Sequence, residues 1–194
     1  MEQEKGDTIM LKMMYEHFKT ICKHKWIVCL ECIKCGFIWR GLMHDNSKFS
    51  PTEFIASAKH FQGNRSPIEA EKEQDGYSLA WLHHMGHNPH HWEYWTDFDA
   101  DGNIIANKIP YEYVVEMICD WIGAGMTYSR GKWTQKEPLR YYKMVRCGRH
   151  FHPETEKLII QFLECIRDNG LKEFHRMARM SEIRSNYENQ HEKI

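Results

Sequence analysis

The chain lacks any apolar run approaching the ~20 residues that a membrane-spanning helix needs. It also lacks an excess of either charge. Lys+Arg number 26 against 27 Asp+Glu, a formal net charge of −1 with histidines neutral. That balance argues against an extended basic surface for nucleic acid, while leaving room for a local patch. The opening MEQEKGDTIM is polar and acidic, unlike a secretory signal. There is little of the alternating apolar–polar pattern of a strand, no internal repeat and no low-complexity tract. The seven cysteines are odd in number, and most fall in apolar helix-like segments, which suits reduced thiols better than a disulfide framework. The expectation is a cytoplasmic protein with no membrane segment.

What remains is an ordinary globular composition, 42% hydrophobic and 27% charged, in 194 residues, enough for one domain with a substantial core. Residues 1–7 read as a flexible N-terminus, 8–184 as the domain and 185–194 as a frayed polar tail. A first helix over 8–23 spaces Met10, Met13, Met14, Phe18 and Cys22 helically, with Thr8 as cap and the methionines as core filler. A second runs from His24 to Gly36, and a short third, FIWRGLMHDNSKF, follows. SPTEF opens a fourth, with Ser50 as N-cap, Pro51 at the first helical position and Glu53 at N3. Residues 62–76 read as a loop. GYSLAWLHHMGH is helical and stops at Asn88-Pro89, and DFDADGN is a turn. YEYVVEMICDWIGAGM is a helix with Val114, Met117, Ile118, Trp121 and Ile122 on one stripe. Two more helices, 153–168 and 171–184, are parted by Asn169-Gly170. The expected fold is all-α, a single-domain bundle of seven to nine helices.

Thirteen histidines are many, and their placement carries the chemistry. His44 and Asp45 are adjacent, with Lys48 three residues on. Imidazole and carboxylate together suit zinc, manganese or iron, provided the backbone turns both toward one cavity. Alone, such a pair is as readily a helix-end surface feature. His24 sits 20 residues earlier, in HKWIV, where a lone histidine is usually a satisfied core group. Asp120 lies among Ile118, Cys119, Trp121 and Ile122, where an ionised carboxylate needs a cation or strong donors. HHMGHNPHHW holds His83, His84, His87, His90 and His91, and Pro89 breaks the helix so that the last two can swing back. Glu116, one turn before Asp120, can orient a ligand or simply face solvent. Arg40 and Arg130 are candidate anion contacts or plain surface residues. Cys29, Cys32 and Cys35 drift round a helix and read as buried free thiols rather than a metal site. The aromatic run HHWEYWTDF reads as packing under a loop rather than base stacking.

The order His24, His44-Asp45, histidine cluster, Asp120 resembles the HD-domain metal-dependent phosphohydrolase superfamily. HDNSK is similar to the His-Asp-x-x-Lys element of its HD-GYP branch, whose lysine helps bind phosphate, but no Gly-Tyr-Pro is present. At closer range, WRGLMHDNSKFSPTEF, AWLHHMGHNPHHWEYW and EMICDWIGAGMTY resemble a family of small bacterial and phage proteins catalogued as a domain of unknown function. The resemblance implies an HD-like helical fold and one or two divalent transition-metal ions (Mn, Fe, Zn, Ni or Co). It implies His24, His44, Asp45 and Asp120 as ligands of the first ion. Asp45 would bridge to a second, held by some of His83, His84, His90 and His91. Asp45 and Lys48 would be the catalytic residues, with Lys48 on a phosphate oxygen. The implied activity is hydrolysis of a phosphomonoester or phosphodiester, a nucleotide or cyclic nucleotide, by a metal-bound hydroxide. The alternatives are a di-iron oxygenase of HD fold and a non-catalytic nucleotide-binding protein. The partner is then a small phosphate ester, with no membrane and no extended nucleic-acid surface.

Overall fold

A computed structural model describes the backbone of residues 2–189 and the side chains of residues 6–189. Within them the chain is all-α, with ten α-helices and one two-stranded hairpin. Helix α1 spans Glu2–Lys34 without the break expected at His24. No glycine or proline occurs between Gly6 and Gly36, so nothing local stops it. It reaches back through the stretch set aside as a flexible N-terminus.

The buried side of α1 is not the methionine stripe. Met10 and Phe18 are 36% and 46% exposed, and Cys22 is exposed as well. The inward face carries His17, His24 and Glu31 at seven-residue steps, offset by four from Ile21, Val28 and Cys35. That is a two-position heptad seam in which one position is polar. Helix α1 has apolar residues on two faces, and packing chose between them. The Glu31 carboxylate accepts a 2.7 Å bond from His175 Nε2, joining the C-terminal end of α1 to α9 near the end of the chain.

Helix α2, Ile38–Met43, crosses α1 at close range. A methyl group on Gly41 would stand 2.9 Å from the Cys29 carbonyl and 3.0 Å from Cys32 Cβ. Gly41→Ala is therefore expected to destabilise the fold by about 1–3 kcal/mol, as overpacking does. Thermal denaturation measures it, and an unchanged midpoint would mean that the α1–α2 crossing yields freely.

Helix α3, Pro51–Lys59, starts as expected, with the Ser50 hydroxyl accepting from Glu53 N at 3.3 Å. The expected loop 62–76 instead contains helix α4, Pro67–Asp75. Its polar composition hid it, but Ser66-Pro67 opens it, and Gly76, at φ 80°, closes it in the left-handed region. The buried Glu71 carboxylate of α4 accepts from Leu79 N at 3.2 Å and from the Ser78 hydroxyl. It thereby caps helix α5, Leu79–His87, which ends before Asn88-Pro89. A 3₁₀ turn, Trp92–Trp95, leads into strands β1, Thr96–Phe98, and β2, Ile104–Ala106. These pair antiparallel around the expected turn, with Thr96 opposite Ala106 and Phe98 opposite Ile104.

Helix α6, Tyr111–Tyr128, packs against α1 and α2. Val114, Met117, Ile118 and Ile122 are buried along it as expected, against Val28 and Cys32 of α1. Helix α7, Glu137–Val145, was not anticipated, because its surface is dominated by lysine, arginine and tyrosine. It adds Leu139 and Tyr142 to the core, and α8, Pro153–Asn169, adds Leu158, Ile159, Phe162, Leu163 and Ile166. The expected helix 171–184 is two: α9, Leu171–Ala178, and α10, Ser181–Glu188, separated by an extended Met180. Helix α10 enters the expected polar tail, whose residues 190–194 lie outside the described residues. The cysteines behave as free thiols, five buried and two exposed. Among the described residues no helix is long and apolar enough to cross a membrane.

Candidate metal centre

The segment after α2 answers how adjacent histidine and aspartate side chains reach one cavity. Helix α2 ends at Met43, and Asp45 sits in the left-handed region at φ 54°, ψ 27°, before a 3₁₀ turn, Asn46–Phe49. This replaces the expected single short helix. Aspartate is one of the few side chains that tolerate that conformation. The reversal turns His44 and Asp45 inward together, and each is 1% exposed. The Lys25 ammonium binds the His44 carbonyl and, at 2.9 Å, Asn46 Oδ1, which anchors the turn to α1.

Two groups of metal-ligating atoms meet at Asp45. In the first, His24 Nε2 lies 3.0 Å from Asp120 Oδ1 and 3.5 Å from Asp45 Oδ2. His44 Nε2 lies 3.2 Å from Asp45 Oδ2 and 3.6 Å from Asp120 Oδ1. In the second, Asp45 Oδ1 is 3.2 Å from His84 Nε2 and 3.5 Å from His90 Nε2, and His91 completes the set. Within each group the ligand atoms all lie within 4.8 Å of one another. Asp45 presents one oxygen to each side. The Lys48 ammonium rests on Asp45 Oδ2.

His83 does not join. Its Nδ1 is 2.7 Å from Glu53 Oε1 and its ring stacks on His87 at 4.0 Å. Consecutive helical residues point about 100° apart, so α5 can aim only one of His83 and His84 at Asp45. His87 is exposed. Arg40 sits over the Tyr113 ring and lines a cavity of about 370 Å³ that also reaches His90 and Glu116. Arg130 is exposed in the turn after α6 and stands in neither group.

Three side chains outside these two groups hold their histidines in place, and Glu116 with His44 and His90 also forms a third set of possible ligand atoms. Glu116 Oε1 accepts from His44 Nδ1 at 2.9 Å and lies 3.2 Å from His90 Nδ1, so it holds one histidine of each group. Glu53 Oε2 is 2.8 Å from His84 Nδ1. Asn88 donates to the His84 carbonyl at 2.7 Å. Carboxylate on Nδ1 turns Nε2 toward a metal. Glu53 was read from sequence only as a helix-start residue. Its spacing from Pro51 signalled that role and concealed the other.

The electrostatics suit a cation. Burial alone would drive the proton off His44. Asp45, then Asp120 and Glu116, outweigh that and hold it well above the usual histidine range. Burial opposes ionisation of Asp45 and Asp120, yet His44 and Lys48 at Asp45, and His24 and His44 at Asp120, keep both well below the usual carboxylate range. Burial, reinforced by His90 and His84, leaves His91 neutral. Glu116 falls to about 2 through its two histidine bonds, against burial. On the same face of α1, burial and the Lys48 charge lower His17 to about 4. The donor set itself points to an ion. Asp45 Oδ1, His90 Nε2 and His91 Nε2 are buried without hydrogen-bond partners, all in the second group. Each such orphan costs roughly 1–3 kcal/mol, which a shared cation would offset.

A pH dependence follows. A folded value raised above the unfolded one, as at His44, stabilises fully below about pH 6.5 and is lost as pH rises through the folded value. The lowered carboxylates contribute above about pH 4 and lose that contribution as pH falls through their folded values. Metal-free protein should therefore lose stability once His44 deprotonates and leaves the carboxylates facing one another. Metal competes with that proton, so the rise in melting temperature on adding manganese should grow as pH increases above the ordinary histidine range of about 6.5. A gain independent of pH would contradict this.

Fold and site together define an all-α protein with a buried histidine–carboxylate centre able to hold metal ions. A family model matches residues 13–165, and the chain belongs to that family, described as a family of unknown function, DUF5662. No curated protein and no solved structure matches it.

Proposed function

We propose that the protein is a metal-dependent phosphohydrolase whose substrate is a phosphomonoester or phosphodiester, a nucleotide or cyclic nucleotide in class. One observation carries this reading: two groups of buried ligands share Asp45, with Lys48 on the same carboxylate. Paired sites of this kind are the arrangement that clamps the attacking and leaving oxygens of phosphoryl transfer. Support also comes from the ligand order, which resembles that of HD-domain hydrolases; the family match itself assigns no HD domain and no activity.

His24, His44, Asp45 and Asp120 would hold one ion, and Asp45, His84, His90 and His91 the other. A bound transition metal would supply Lewis acidity and lower the pKa of water enough to make hydroxide available as a nucleophile near neutral pH. Lys48 would leave Asp45 for a phosphate oxygen, keeping the phosphate oriented as negative charge develops. Glu116 and Glu53 would keep the ligand tautomers fixed.

The test is metal analysis of the purified protein, then turnover assays with manganese, iron or zinc. Substrates are p-nitrophenyl phosphate, its bis ester, and linear and cyclic nucleotides. Turnover removed by a chelator and restored by one of the metals is the expected result. Nucleotide binding without turnover would point to a binding protein. Oxygen uptake with a di-iron absorption band would point to an oxygenase, the reading that the histidine-rich second group also suits.

A further inference from the structure

Between residues 130 and 149 the sequence places seven lysines and arginines against a single acid, Glu137, in a chain of net charge −1. This is the local basic patch that overall charge balance conceals. Part of it lines a cavity of about 620 Å³ beside strand β2 and the link from α7 to α8. None of its lining residues belongs to either group of candidate metal ligands. That volume lies in the range of small-molecule sites.

The cavity wall is cationic and its own counter-charge is already engaged. Lys143, Arg146, Arg149 and His150 face it, and Glu156 is the one acid among the lining residues. Glu156 Oε1 accepts from Arg146 Nε at 2.5 Å and from the Tyr142 hydroxyl at 2.5 Å. Lys143 has no ion pair among the described residues. Arg149 is held over the Trp121 ring at 5.2 Å and the Tyr141 ring at 5.4 Å, with Nη2 donating to the Tyr141 hydroxyl at 2.9 Å. Its orientation is set without any carboxylate, so its charge stays available. Phe151 supplies an apolar wall and packs 6.0 Å from Trp92. Three cations converging on one concave surface, only one of them neutralised, favour a ligand with several linked negative charges over a single anion. Arginine forks and a lysine suit phosphate oxygens.

We propose that this cavity binds a small ligand carrying two or more linked phosphates, a nucleoside di- or triphosphate or an inorganic polyphosphate. The site is separate from the metal centre and does not depend on the phosphohydrolase reading.

Calorimetric titration of the full chain, stripped of metal with a chelator, tests this. The probes are tripolyphosphate, ATP, AMP and a single-stranded oligonucleotide. Tripolyphosphate and ATP should bind, with AMP at least about tenfold weaker. Lys143→Glu should weaken both by about tenfold, with its circular dichroism unchanged because the side chain is exposed. Asp45→Asn should leave both affinities intact. ATP binding more tightly than tripolyphosphate would assign a nucleotide, and equal affinity would assign the polyphosphate chain alone. No binding up to about 1 mM, binding insensitive to Lys143→Glu but lost in Asp45→Asn, or binding of the oligonucleotide alone would each overturn the proposal.

Discussion

Asp45→Asn should empty both halves of the metal centre while leaving a folded helical protein. Asp45 is the one residue common to both groups of ligands, one oxygen serving each. Asparagine is nearly isosteric and tolerates the left-handed backbone at φ 54°, so the turn itself should survive. What disappears is a buried negative charge facing His24, His44, His84, His90 and Lys48. Removing one partner from a buried charge network costs on the order of 3–5 kcal/mol, so a lower melting temperature is expected alongside the lost metal. Metal content per chain, measured with circular dichroism as the check on folding, should fall to background, and any metal-dependent turnover with it. A variant that keeps its full complement of metal would show that the two groups do not share this carboxylate.

The second large effect should come from Glu116→Ala. Glu116 orients one histidine of each group, whereas Glu53 orients His84 alone among the grouped ligands. Loss of such an orienting acceptor typically lowers metal affinity by about 10–100-fold. Titration against a competing chelator should therefore show Glu116→Ala weakening both ions and Glu53→Ala weakening one. Equal and small effects from the two variants would mean that neither carboxylate positions a ligand. Glu116→Gln separates charge from geometry, since an amide oxygen still accepts from one imidazole. It should recover part of the affinity lost by the alanine variant.

The candidate site was unusually legible because its residues break local expectation. Asp120 is a carboxylate amid Ile118, Cys119, Trp121 and Ile122, and His44-Asp45 follows an apolar segment. Polar groups in such settings must find partners, and those partners could be sought along the chain by chemical type. Of the two readings of Glu116, as an orienting group or as a solvent-facing charge, its burial between two imidazoles excludes the second. The histidine cluster leaves open which of its members meet Asp45, and the structure groups His84, His90 and His91 with it. Spacing showed that α5 could present one face to the site, but not which of His83 and His84 that face would carry.

Elsewhere polar composition hides two helices, one within 62–76, which reads as a loop, and one over 137–145, where the pattern suggests no element. Helices α4 and α7 are rich in charge because little of their surface is inward; Ala70 and Glu71 of the first, and Leu139 and Tyr142 of the second, are the anchors. The methionine stripe of α1 reads as core from apolar spacing alone. Its true buried seam places His17, His24 and Glu31 between Ile21, Val28 and Cys35.

By itself the sequence determined that this chain is helical, where α3 begins and α5 ends, and which histidines and aspartates were candidates for one centre. Those outcomes depend on interactions spanning a turn or two: caps, proline, and the 3.6-residue period. The tertiary structure alone decided which face of α1 lies inside, that Asp45 adopts a left-handed turn, and that His84 rather than His83 meets it. Each of these is settled by packing between segments tens of residues apart, as where Gly123 of α6 lies against Val28 and the His24 ring. No local preference encodes the position of a partner helix, so the choice among equivalent faces is made only when the core closes.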